Sequence, residues 1–167
     1  YGKRLSQVNL KGIKSKDEII TTIKQQINVN KKGNWIIGFG WDQNLWNNKN
    51  FPEKHILNDC SPDHPIYLTR IDGHSAWVNE CAIKLLNISC ESLREISGGE
   101  VINDCILIDN TMNPFKSILP IDTSLDVELW VKLAVQETIK KGITGVHDAW
   151  QDKIVINTIK NLIIKDQ

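Results

Sequence analysis

PIYLTRIDGHSAWVN, residues 65–79, decides how the rest of this chain is read. Ile66-Tyr67-Leu68 is a short apolar run whose β-branched and aromatic content fits a buried strand. Within four residues it turns polar, Arg70-Ile71-Asp72-Gly73, and His74 stands just past the glycine. Ala76-Trp77-Val78 alternates again, and Asn79 sits where a helix N-cap would be. A strand that finishes in Arg, Asp, Gly and His is built to present polar groups at a sheet edge. The alternative is an ordinary hairpin corner with a solvated histidine.

Working outward, Ser15-Lys16-Asp17-Glu18 has the form of a capping box. Ile19, Ile20, Ile23 and Ile27 follow at helical spacing, which predicts a helix over 16–29. Residues 1–13 read as a strand or extended lead. Trp35–Phe39 reads as a strand, and Gly38 and Gly40 at its end suggest a bulge or a close backbone approach. Residues 44–50 read as a loop, and a short helix follows Pro52. Beyond Asn79 come a short helix and then two strands, 100–102 and 105–108, joined at Asn103-Asp104, a pair suited to a tight hairpin turn. Thr123 or Ser124 caps a long helix ending at Gly142. Ile143–Asp148 reads as a second polar-tipped strand, and a last helix runs over 153–164. Helix, glycine, β-rich run and then His147-Asp148 is how an α/β barrel places residues at its catalytic face.

The chain has 167 residues, 41% of them hydrophobic and 24% charged, which suits a globular domain and part of another. Lys plus Arg and Asp plus Glu each number 20, so no net field draws nucleic acid or an anionic membrane. No apolar run approaches the roughly 18–20 residues that span a bilayer. The chain starts at Tyr1, and its single Met is Met112, so the expectation is a piece of a longer protein of unassigned compartment. Cys60, Cys81, Cys90 and Cys105 lack the close spacing of a zinc site and read as free, mostly buried thiols. His55 and His64, among turn and helix-edge residues, read as solvated.

Several stretches are similar in wording and order to the family-3 amidohydrolases, TIM-barrel metal-dependent hydrolases. They are Gly38–Gln43 with Leu45-Trp46, Pro65–Arg70, Asp72–Asn79, Gly98–Val101, Leu107–Asn110 and Lys141–Ala149. Family members carry a longer hairpin where Asn103-Asp104 stands. The resemblance implies an α+β fold: a small mixed sheet with helices, an alpha-beta roll-like insert, over 1–120, then a partial (β/α) barrel segment of helix, strand and helix over 121–167. It also implies a parent that hydrolyses an amide or cyclic amide C–N bond through metal-activated water, with a divalent metal, zinc first. The His-x-His motif that supplies ligands in that family occurs nowhere here. This part is therefore expected to bind no metal alone and to contribute no catalytic residue.

On this reading Asp72, His74 and Asn79 face the substrate while Trp41 and Trp77 help to exclude water, with His147 and Asp148 near the site. The structural alternatives are core packing for Trp77, helix capping for Asp148, and an Arg70–Asp42 ion pair. The implied partners are a small-molecule substrate and the rest of the parent barrel, with self-association through the two late helices. The competing function is a stand-alone binding or interaction module that kept the insert fold.

Overall fold

The structure is a computed structural model describing residues 1–149 and 151–165. Its strands are β1 (Val8–Asn9), β2 (Ile36–Trp41), β3 (Ile66–Arg70), β4 (Ser75–Val78), β5 (Gly99–Ile102) and β6 (Ile106–Asp109). Its α-helices are α1 (Gly2–Leu5), α2 (Lys16–Val29), α3 (Lys54–Cys60), α4 (Glu80–Lys84), α5 (Cys90–Arg94), α6 (Ser124–Lys140) and α7 (Lys153–Ile164). Two units are distinguished, one spanning Val8–Pro120 and the other combining Tyr1–Gln7 with the residues from Ile121 onward.

In the first unit the six strands form one mixed sheet in the order β1-β2-β3-β4-β6-β5. β1, β2 and β3 are parallel, and the remaining neighbours are antiparallel. Parallel neighbours need a crossover, which α2 and α3 supply, whereas β3–β4 and β5–β6 are hairpins. Asn103 and Asp104 both have positive φ, 52° and 57°, as the two central residues of a type I′ turn require. The α+β expectation of a mixed sheet with helices holds.

Strand alternation divides the buried side chains between two faces. Leu68, Trp77 and Ile106 stand opposite one another in adjacent strands and join Ile19 and Ile23 of α2 and Leu57 of α3 in one core. Tyr67, Ala76, Val78 and Leu107, the intervening positions, pack on the other face with Ala82, Ile83, Leu93 and Phe115. The sheet is thus covered on both sides, which explains why all four residues of β4 are buried.

Ser15 caps α2 by accepting from the Glu18 amide at 3.2 Å, and Ile19 and Ile23 are its fully buried residues, as the capping box and spacing predict. At the end of β2 the register with β3 slips between Phe39 and Trp41, with Gly40 at φ +93°. The extra residue shifts the alternation by one, so Trp41 enters the same core as Ile36 instead of facing away from it. A Cβ on Gly40 would also sit 2.5 Å from Lys11 Cγ.

In the second unit, Thr123 and Asp126 form a reciprocal capping box at the start of α6. Residues 2–5 are helical, not extended, and they pack on α6 because Gly2 has no side chain. A Cβ there would lie 1.8 Å from the Trp130 carbonyl oxygen. Lys3 adds an ion pair to Asp122 at 2.6 Å and sits 5.0 Å from the Trp130 ring centre. Val127 of α6 and Leu162 of α7 are buried. The strand expected at 143–148 does not form: these residues are exposed and lie in no ladder. A barrel strand is defined by hydrogen bonds to neighbours on both sides, and no described segment supplies either. No helix among the described residues is long and apolar enough to cross a membrane.

Candidate functional site

β2, β3 and β6 end on the same edge of the sheet from which the antiparallel β4 starts. That edge collects Asp42, Gln43, Arg70, Asp72, His74 and Asp109. Arg70, at the end of β3, donates from Nε to Gln43 Oε1 at 2.9 Å. Its Nη1 pairs with Asp72, and its Nη2 lies 3.6 Å from Asp42 Oδ1. The expected Arg70–Asp42 pair is therefore part of a larger group, in which a largely buried guanidinium meets an acceptor on each nitrogen. Asp42 in turn accepts from the Asn44 amide at 3.0 Å, fixing the turn after β2. This network ties two strand ends together, and the Arg70 charge is spent within it on two carboxylates.

The β3–β4 turn stands above that network. Asp72 accepts from the His74 amide at 3.0 Å, and Gly73 takes φ +79°. His74 Nδ1 lies 2.8 Å from Asp109 Oδ1, with the imidazole 75% exposed. The pairing follows from register: Ser75 is opposite Ile108, so the residues just outside that pair face each other across the ladder. The hydrogen bond that His74 Nδ1–H donates to Asp109, then the Asp109 charge, raise the His74 pKa above its ordinary 6.5, with Asp72 adding to the effect. A raised folded-state value means the pair favours the fold fully below about pH 6.5, and that contribution fades as pH rises through the folded-state value.

The other sequence candidates separate from this edge. Trp41 and Trp77 are fully buried, their ring centres 6.1 Å apart, and they form one aromatic cluster with Trp46. They are core, which corrects their reading as pocket walls. Trp41 Nε1 is spent on the Leu68 carbonyl at 2.7 Å. Asn79 is also buried rather than facing a substrate. Its Oδ1 accepts from the Ile66 and Ala82 amides at 2.9 and 3.0 Å, and its Nδ2 donates to the Ser61 and His64 carbonyls at 2.9 and 2.8 Å. It is the α4 cap and also a clamp between β3 and the preceding turn. Asp72 and His74 are the two candidates that the fold brings together at an exposed edge.

His147 and Asp148 lie in the exposed segment of the other unit, where Asp148 bonds the Gln151 side chain and Asp152, not Asp148, occupies the N-cap of α7. His55 is exposed as expected. His64 is not: it is buried, with Ser61 Oγ 3.1 Å from its Nδ1, because Asn79 holds both carbonyls of this turn against the core. The cysteines are free, and burial raises all four thiols, Cys105 to about 12, so none is an activated nucleophile.

Two participants escaped the sequence reading, Gln43 and Asp109. Gln43 closes the quoted stretch Gly38–Gln43, but nothing in its spacing shows that it accepts from Arg70. Asp109 lies 35 residues from His74, and only the β4–β6 pairing unites them. Among the described residues no group of three or more His, Cys, Asp or Glu could hold a metal ion. The residues described here do not fit a metal centre.

The profile of the amidohydrolase family matches residues 1–166. YtcJ of Bacillus subtilis (strain 168), provisionally named an amidohydrolase, is 28% identical over 153 residues, which cover 88% of this chain and 29% of YtcJ. Protein LONG AFTER FAR-RED 3 of Arabidopsis thaliana is 34% identical over 87 residues, 52% of this chain and 15% of that protein. An uncharacterized metal-dependent hydrolase from Pyrococcus horikoshii OT3 has a similar fold, with TM-score 0.68 and 24% identity, over 99% of this chain and 32% of that one. Its counterpart from Pyrococcus furiosus gives TM-score 0.66 at 24% identity, over 99% of this chain and 32% of that one. The chain thus spans no more than about a third of the length of these proteins.

Proposed function

The chain belongs to the amidohydrolase family, and from that premise we propose that it is the substrate-side segment of a metal-dependent hydrolase acting on amide or cyclic amide C–N bonds. The family match across residues 1–166 carries the reading. In it, the edge bearing Asp72 and His74 faces a small-molecule substrate, and the Arg70 network below holds the turn in place. A divalent metal, zinc in our reading, is held by residues other than those described here, so no step through it is assigned to this chain. What these residues can do is orient a substrate and carry a proton at His74. His147 and Asp148 belong to the other unit and are kept as separate candidates for a substrate-side role in the longer protein.

The test is hydrolysis by the full-length protein, metal-loaded and then chelated, against amides, cyclic amides and N-acyl compounds, with the 167-residue chain alongside. Chelator-sensitive turnover by the full-length protein and none by the shorter chain is the expected result. No turnover and no bound metal would overturn the reading in favour of a binding module.

Partners follow from the same reading. Leu125, Leu129 and Ile139 of α6 and Ile163 and Ile164 of α7 are exposed, at 77, 52, 65, 68 and 80%. In the longer protein we assign these side chains to contacts with the rest of a barrel. The 167-residue chain by itself is then expected to self-associate, since large exposed apolar patches are uncommon on monomers. Light scattering after gel filtration would show this, and a concentration-independent monomer mass would count against it.

A further inference from the structure

Asp109 has an unusual backbone, φ 50° and ψ −116°. This is the region that the first position of a type II′ turn reserves for glycine, and a residue with a Cβ is strained there. Such strain persists only where the surroundings over-determine it. Here the Asp109 amide donates to the His74 carbonyl at 3.0 Å, and the Asn110 amide donates to the Gly98 carbonyl at 3.3 Å. Asn110 Nδ2 also donates to the Ser97 carbonyl at 2.8 Å, and Thr111 Oγ1 accepts from the Ile108 amide at 2.8 Å. Glycine would meet the same contacts without strain. What aspartate adds is the carboxylate on His74 Nδ1.

We propose that Asp109 is a positioning residue that keeps the proton on His74 Nδ1 and so leaves Nε2 as the proton-carrying atom of this sheet edge. The inference rests on the reading of His74 as a substrate-facing residue. A neutral imidazole with Nδ1–H committed to a carboxylate presents Nε2 as an acceptor, and a protonated one presents it as a donor. An aspartate that fixes tautomer and charge in this way tunes a proton carrier without touching the substrate. The charged groups facing His74 are Asp72 from its own turn and Asp109 from β6. The Arg70 charge is already shared among Asp42, Gln43 and Asp72.

The test is nitrogen-resolved NMR of the four imidazoles through a pH titration of the chain, with Asp109→Asn and Asp109→Gly. In the parent sequence, neutral His74 should carry its proton on Nδ1 and titrate above the ordinary range. Both variants should lower its midpoint and mix its tautomers while leaving His55 and His147 unmoved. At pH above the His74 midpoint, where the pair no longer adds stability, Asp109→Gly should do so without lowering the melting temperature, because it relieves the backbone. An unchanged His74 in folded variants would overturn the inference. Kinetics of the full-length protein separate this from the hydrolase reading. If amides are turned over, the pH profile of kcat/KM should move with the His74 midpoint in Asp109→Asn, and a profile that stays put overturns the positioning role. If no amide is turned over, the hydrolase reading fails, and the NMR still decides whether Asp109 sets the state of His74.

Discussion

Replacing Asn79 by alanine is expected to destabilise the chain by about 3–5 kcal/mol, because four buried main-chain groups lose their partner together. The Ile66 and Ala82 amides and the Ser61 and His64 carbonyls all bond this one carboxamide. A cap loss alone is worth about 1 kcal/mol, so the excess measures the clamp between β3 and the turn before it. Denaturant unfolding at unchanged slope reads it directly. A loss near 1 kcal/mol would mean that Asn79 serves only as a cap. Asn79→Asp adds a second signature. A carboxylate there would face two carbonyls, so burial and that repulsion raise its folded-state pKa above the unfolded one. Stability of this variant should then be best below the unfolded value and fall as pH rises through the folded one.

The same residue shows what was and was not readable beforehand. Asn79 as an N-cap is local chemistry, visible in the helix that follows it. Its bonds to Ser61, His64 and Ile66 are not, because they depend on the turn and strand coming back alongside. His64 misled for the same reason: turn composition suggests exposure, while a clamp 15 residues away buries it. Local signals did well where the physics is local, in the Ser15 cap, the isoleucine spacing of α2, the Asn103-Asp104 turn and the Gly40 bulge. They could not place β6 beside β4, and with it they missed the meeting of His74 with Asp109. The run 143–148 has strand-like residues but no described neighbour, and a strand is a property of the pair.

Truncating Trp77 to alanine is expected to cost about 3–5 kcal/mol, comparable to the loss of Asn79 but by a different mechanism. Trp77 is fully buried, with Trp41 at 6.1 Å and Trp46 at 6.4 Å between ring centres. Its neighbours across the ladder, Leu68 and Ile106, belong to the same core, so the cavity left behind is lined by groups from several strands that cannot all close in. Trp77→Phe should be much milder. It keeps a ring in the cluster and removes an indole N–H that has no hydrogen-bond partner among the described residues, so no bond is broken and one desolvation cost disappears. The Ala-to-Phe contrast separates a core role for this residue from a pocket wall. A core tryptophan loses stability on truncation and recovers most of it with phenylalanine, as chemical denaturation would show. A pocket wall would leave stability nearly intact and change substrate affinity in the full-length protein. The burial of Trp77 between strand neighbours leaves only the first outcome consistent with this structure, so a near-neutral Trp77→Ala would contradict the core assignment of β4 itself.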